Sequence, residues 1–225
     1  MTGAGTRRAG LMAPLFSVPS SRSWGIGEIG DLPAIAAWLT GAGQRVLQLL
    51  PINELPLHET SPYSAMSAMA IDPQFITLGL VDEFVEAGGE AALEPGLRSE
   101  IARLRETPVL DYHGVRALKH SVLRRSYQRF ANASSTQTSP RAQAFGRYVV
   151  AQSWWLDDYA LFRALHAHYG ERPWTEWPEP LKSREADAVA AARVALADEV
   201  AFRQYVQWVA DDQWRAARRG AMPEP

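Results

Sequence analysis

Leu11-Met12-Ala13-Pro14-Leu15-Phe16-Ser17-Val18 and Arg45-Val46-Leu47-Gln48-Leu49-Leu50-Pro51 are two short apolar runs, and what lies between them decides the fold class. Gly10, Pro19 and Pro51 bound them, each is too short for a helix, and each reads as a buried strand. Between them Asp31 is placed to cap a helix, with Pro33 tolerated in its first turn. Ile35, Trp38 and Leu39 follow at the spacing of one apolar face, and Gly41 and Gly43 end it. Strand, helix and strand within about 40 residues predict a right-handed βαβ unit and a parallel sheet, hence an α/β fold. Phe75-Ile76-Thr77-Leu78 reads as one more short strand.

Downstream the texture changes to helix with breaks. Glu86 to Gly96 reads as a loop around two adjacent glycines. Val115, Leu118, Val122 and Phe130 predict one helix, ended by the polar stretch from Asn132 to Pro140. Asn132-Ala133-Ser134 matches a glycosylation acceptor, which means nothing without secretion. Phe145, Tyr148, Trp155, Tyr159 and Phe162 stripe a long helix over about 141–169. Trp174 and Trp177, among Pro173, Pro178 and Pro180, form an aromatic turn. A last long helix over about 183–219 is predicted to bury Val194, Phe202, Tyr205 and Val209.

Composition narrows the function. The 225 residues are 47% hydrophobic and 21% charged, which is globular material and not a disordered chain. Lys+Arg is 23 against Asp+Glu 25, a formal net charge of -2, so there is no cationic field for nucleic acid or an anionic membrane. With no cysteine, disulfides, thiolate metal sites and a cysteine nucleophile are excluded. No apolar run reaches the roughly 18 residues of a membrane span, and Pro14 and Pro19 break the only stretch resembling a leader. A cytoplasmic chain is expected. Eight Trp is a large number; most are expected in the core, yet indole faces are also where sugars stack.

Several groupings carry possible chemistry. Gly25-Ile26-Gly27-Glu28-Ile29-Gly30, with Glu54 further on, matches the spacing of a dinucleotide fingerprint. Against it, Pro19 to Trp24 intervene after the strand, and Asp31 would set a carboxylate where a diphosphate must lie. A glycine-shaped loop is the better reading, with a dinucleotide-dependent oxidoreductase as the lesser alternative. His166 and His168, two apart on a helix, diverge and cannot share a metal. Asp157 and Asp158 point about 100° apart, so they do not converge on one bond. Thr60-Ser61-Pro62-Tyr63-Ser64-Ala65-Met66-Ser67-Ala68 follows the second strand, at the end where parallel folds place ligands, and offers hydroxyls and one Tyr face.

Together the blocks resemble one family. Ser23 to Leu32, Ala42 to Pro51, Ser61-Pro62-Tyr63-Ser64 with Ser67-Ala68-Met69-Ala70-Ile71-Asp72-Pro73, Trp154 to Phe162 and Pro173 to Pro178 look like the 4-α-glucanotransferases, or amylomaltases. The resemblance runs from about Arg7 to Arg219. It implies a TIM-like (β/α) barrel with a largely helical insertion, acting on α-1,4-glucans and maltooligosaccharides. It also implies retaining transfer, in which a nucleophilic carboxylate and an acid stand about 5–5.5 Å apart. No cofactor and no metal are implied.

That family's catalytic carboxylates lie in blocks resembling Arg-x-Asp-His, Glu-Asp-Leu-Gly and His-Asp-Asn, none of which occurs here. The resemblance therefore carries over no catalytic residue; those are expected beyond Pro225. It carries over Ser61 and Tyr63 as substrate-binding residues. Residues 1–80 are expected to hold the first two of about eight barrel strands and the active-site loop. Residues 81–225 are expected to hold the helical insertion and the helix leading to a missing third strand. A barrel open at that point is expected to be inactive alone, with exposed strand edges and a tendency to self-associate. A non-catalytic glucan-binding or structural fragment is the alternative.

Overall fold

A computed structural model describes residues 7–133 and 139–221. The chain opens with β1 (Gly10–Ala13), α1 (Leu32–Gly41) and β2 (Val46–Leu49). β1 and β2 pair in parallel, with Gly10 opposite Val46 and Ala13 opposite Leu49. The βαβ reading is therefore correct in its elements. β1 is shorter than its apolar run because Pro14 has no N–H for the ladder, and Leu15–Ser17 turns instead into a 3-10 helix. Among the described residues these two strands form the whole sheet, and the expectation that both are buried is not met: no further strand or helix covers Leu11, Met12 and Val46, which lie exposed on it. The architecture is a small parallel sheet with a much larger helical part.

Seven more α-helices follow among the described residues: α2 (Asp82–Glu86), α3 (Pro95–Glu106), α4 (Tyr112–Ala133), α5 (Pro140–His168), α6 (Glu179–Lys182), α7 (Ala186–Ala195) and α8 (Ala197–Gly220). α5 starts cleanly because the Ser139 side chain accepts from the Ala142 N–H and Pro140 occupies the first turn. α5 and α8 pack along each other. The main core draws on both sides of residue 80. Leu15, Ile26 and Phe75 meet Val122 of α4 and Phe202 and Tyr205 of α8. Fewer indoles are in the core than expected: Trp24, Trp177 and Trp208 are buried, Trp155 and Trp214 are half-buried against it, and Trp38, Trp154 and Trp174 are exposed.

Three expectations need correction. Phe75–Leu78 is not a strand. Pro73 starts a 3-10 turn capped by the Asp72 side chain, and a second turn covers Leu78–Leu80. The last helix is two helices, divided at Leu196, and Val194 on the first is 79% exposed instead of buried. The segment read as a loop before Gly96 runs straight into α3, whose apolar positions Ile101 and Leu104 are buried. The polar stretch between α4 and α5 lies for the most part outside the described residues, and so does the glycosylation acceptor's Ser134.

No helix among the described residues is long and apolar enough to cross a membrane.

Candidate functional site: the loop after the second strand

The chain leaving β2 makes a two-armed loop. Asn53 pairs antiparallel with Ile71. The Glu54 N–H donates to the Ala70 carbonyl (3.0 Å), the Asp72 N–H to Ile52 (2.9 Å) and the Met66 N–H to Glu54 (2.8 Å). The Asn53 side chain adds a bond to the Ala68 carbonyl (2.9 Å). The base is thus closed, and the tip carries Ser61 and Tyr63 into solvent. Tyr63 is 74% exposed, and among the described residues neither side chain has a hydrogen-bond partner. Both groups are free to meet a ligand.

Buried polar side chains fix the base. Gln207 of α8 accepts from the Ile71 N–H (3.0 Å) and donates to the Ile71 carbonyl (2.9 Å), as a neighbouring strand would. It also donates to the Tyr159 hydroxyl (3.1 Å). Tyr159 in turn donates to the Glu54 carboxylate, which accepts from Arg163 Nε at 3.0 Å. Burial, and then the adjacent Glu54 charge, raises the Tyr159 hydroxyl well above the usual phenol range, so it remains a donor. Behind it, Glu171 takes Arg163 (3.2 Å) and His166 (2.7 Å). Burial alone would raise the Glu171 pKa, but these two partners outweigh it and hold it low.

Asp72 ends the second arm. Its carboxylate accepts from the Gln74 N–H (3.0 Å), the Gln74 amide (3.0 Å) and the Leu55 N–H (3.3 Å), with Arg116 at 3.5 Å. Burial pushes its pKa up to about 6, against the pull of Arg116 and with a push from Glu54. A cavity of about 390 Å³ opens between this arm and α4, α5 and α8, with Arg116, Arg163 and Arg203 among its walls. Nearby, His120 is kept neutral at physiological pH, its pKa lowered to about 4 by desolvation and then by Arg203, Arg124 and Arg163.

These carboxylates are all engaged by cations or backbone N–H groups. Glu54 and Glu171 share Arg163, Asp72 faces Arg116, and Glu199 holds Arg203 at 2.6 Å. Glycosyl transfer needs one free nucleophilic carboxylate and one protonated acid across a sugar. The arrangement seen here can hold and orient a ligand; it is not built to break a glycosidic bond.

The glycine turn after β1 behaves differently from the dinucleotide alternative. A Cβ on Gly27 would lie 1.9 Å from the Leu15 carbonyl oxygen, and one on Gly30 would lie 2.7 Å from Thr77 Oγ1. Gly25 has φ +75° and meets the Leu104 backbone. The close approach that the glycines permit is to this protein's own chain, and the cavity beside Gly30 is lined by the Glu28 and Asp31 carboxylates, which would repel a diphosphate. Asp31 precedes α1 as expected, but its carboxylate accepts from the Glu28 N–H (2.8 Å) and makes no cap bond to that helix. Glu28 is buried and pairs with Lys119 Nζ at 2.7 Å; the same ammonium donates to the Gln74 (2.6 Å) and Ile76 (2.8 Å) carbonyls. Burial drives both partners toward their neutral forms, raising Glu28 and lowering Lys119.

Sequence reasoning thus located the exposed tip and missed the anchors. Glu54, weighed there only as a ribose ligand, is the centre of the buried network. A carboxylate directly after an apolar strand, with Tyr159 and Arg163 four apart on one helix face, was the available signal.

The sequence profile of a family described as 4-alpha-glucanotransferase matches residues 13–224. A 4-alpha-glucanotransferase of Thermus thermophilus is 33% identical over 216 residues, covering 96% of this chain and 40% of that protein. One from Chlamydia pneumoniae is 31% identical over 204 residues, covering 91% and 37%. Amylomaltase from Streptococcus agalactiae, solved in complex with acarbose, superposes with TM-score 0.78 at 23% identity, over 96% of this chain and 41% of that one; this similarity bears on fold alone. Amylomaltase from Corynebacterium glutamicum gives TM-score 0.70 at 26% identity, over 95% and 28%. The chain spans about 40% of the length of the curated relatives it matches.

Proposed function

The chain belongs to the 4-alpha-glucanotransferases of glycoside hydrolase family 77, and from that premise we propose that it forms the glucan-contacting N-terminal part of an enzyme moving α-1,4-glucan segments between glucan chains in the cytoplasm. Residues 1–80 supply two strands of a TIM-like barrel and the loop whose Ser61 and Tyr63 touch the sugar near the cleavage point. Residues 81–225 supply the helical insertion that braces that loop. The nucleophile and the acid come from chain outside these 225 residues, and no cofactor takes part.

One observation carries the reading. Ser61-Pro62-Tyr63-Ser64 stands exposed beyond the carboxyl end of a parallel strand, where barrel enzymes bind ligands, on a base that buried hydrogen bonds hold fixed. A free hydroxyl and an exposed phenol ring match a pyranose, which presents hydroxyl edges and an apolar C–H face. The chain is expected to bind maltoheptaose by calorimetry, to bind no NAD(P), and to release no glucose from maltotriose. Absence of maltoheptaose binding overturns the glucan reading. Glucose release by the pure chain overturns the placement of the catalytic carboxylates.

A further inference from the structure

A second cleft lies away from the loop, between the C-terminal half of α5 and the segment carrying Trp174, α6 and α7. Its volume is about 340 Å³. Its floor is apolar: Leu161, Leu165 and Trp177 are buried together. Trp177 is locked by ring contacts to Phe162 (5.5 Å between centroids) and Tyr169 (5.8 Å), and its indole N–H donates to the Arg172 carbonyl at 3.3 Å. Trp174 forms one wall and is 52% exposed. The network behind the loop ends at His166, whose ring packs on Phe162 (5.4 Å) and Trp177 (6.3 Å) from outside the cleft. Leu161 and Leu165 lie about 160° around α5 from Arg163, on the helix's opposite face.

The rim is polar and held in position. Asp158 accepts from Arg184 and from Arg193, each at 3.1 Å. Lys182 stands beside them. Arg184 has φ +58°, a left-handed conformation that costs a non-glycine residue about 1–2 kcal/mol. Glycine or Asn would close the turn after α6 with less strain, but neither would reach Asp158.

We propose that this cleft is a second, non-catalytic glucan-holding site, in which a pyranose lies on the Trp174 indole and its hydroxyls bond to Asp158 and Arg184. The inference rests on the glucan reading of the loop and extends it to the helical half. A wholly apolar ligand would leave the charged rim unused, and a small anion would meet Asp158 and an apolar floor. A sugar uses both, through its C–H face and its hydroxyl edge. The carboxylate retains lone pairs beyond the two guanidinium bonds, so it can accept from a hydroxyl without losing its partners.

The test is a titration of the chain, labelled with ¹⁵N and with ¹³C at the methionine methyls, with maltoheptaose, following indole N–H signals for this cleft and the Met66 and Met69 methyls for the loop. The Trp174 and Trp177 signals are expected to move saturably. Trp174→Ala is expected to weaken binding, read at Trp177, by about tenfold, the loss of one aromatic stacking partner. Asp158→Asn is expected to weaken it severalfold with the melting temperature unchanged. If Met66 and Met69 move while both indoles stay still, the second site is overturned and the loop reading stands. If no signal moves, both fall. If the indoles answer an apolar dye and not maltoheptaose, the cleft is apolar-binding and the proposal is overturned.

Discussion

The two loops that follow the two strands use similar lengths of chain for opposite purposes. After β1, Ser23, Trp24, Ile26, Glu28 and Ile29 are all buried, and the Ser23, Glu28 and Asp31 side chains are spent on the protein itself. After β2, the base is as tightly bonded, but Ser61, Tyr63, Ser64 and Met69 face solvent. A glycine-rich motif therefore marks close packing here, whereas an unremarkable Ser/Tyr stretch carries the groups left facing solvent. Free hydrogen-bonding capacity, not motif loudness, separates a site from a scaffold.

Substitutions should divide along the same line. Gly27→Ala is expected to be strongly damaging: its Cβ meets backbone, which cannot rotate aside, so the cost lies at or beyond the upper end of the about 1–3 kcal/mol typical of overpacking. Gly146→Ala, on α5 with nothing within 4 Å, is expected to stabilise by about 0.5–1 kcal/mol. Denaturant titrations check both; equal effects would erase the distinction between packed and open glycines. Lys119→Met leaves Glu28 buried without its cation and two carbonyls without a donor, and is expected to cost about 3–5 kcal/mol by the same measurement.

At the base of the second loop, Glu54→Gln weakens two charge-assisted bonds and is expected to cost about 1–3 kcal/mol. Hydrogen exchange should quicken at Ala70 and Met66 before it does so at Trp24. Uniform acceleration would show that the two loops do not unfold separately. Asp72 gives a smaller, pH-dependent effect. Its folded pKa, about 6, lies above the ordinary 3.8, so the folded state binds the extra proton. Its contribution is favourable below about pH 4 and is lost as pH rises through about 6. Asp72→Asn, which Gln74 can meet by turning its unpartnered Oε1 toward the new amide, should therefore gain in melting temperature relative to the wild type between pH 5 and pH 7.5. A constant difference across that range would contradict the burial of a charge there.

Much of this was legible in the sequence, for physical reasons that particular residues show. β1, β2 and α1 announce themselves because apolar runs bounded by Gly and Pro have few other ways to fold. α5 was readable from Ser139-Pro140 and its aromatic stripe. Phe75–Leu78 misled because its apolar composition suits a strand, while its backbone partner is a side chain far along the chain: Gln213 accepts from the Thr77 N–H (2.8 Å) and donates to the Thr77 carbonyl (2.9 Å). No local pattern records such a bond. Val194 misled because the break at Leu196, with φ -109° and ψ 22°, resets the helix face between α7 and α8. At the site, exposure of Ser61 and Tyr63 follows from a polar loop, but the roles of Glu54, Tyr159 and Gln207 depend on residues more than a hundred positions apart meeting.

In the function proposed above, the tip of the second loop touches the sugar. The decisive experiment titrates maltoheptaose into the wild type and Tyr63→Ala while observing the Met66 and Met69 methyls. Saturable shifts are expected in the wild type, their loss in Tyr63→Ala, and the same melting temperature for both, since Tyr63 is 74% exposed. Methyls that stay still in the wild type, or move equally in Tyr63→Ala, would contradict it.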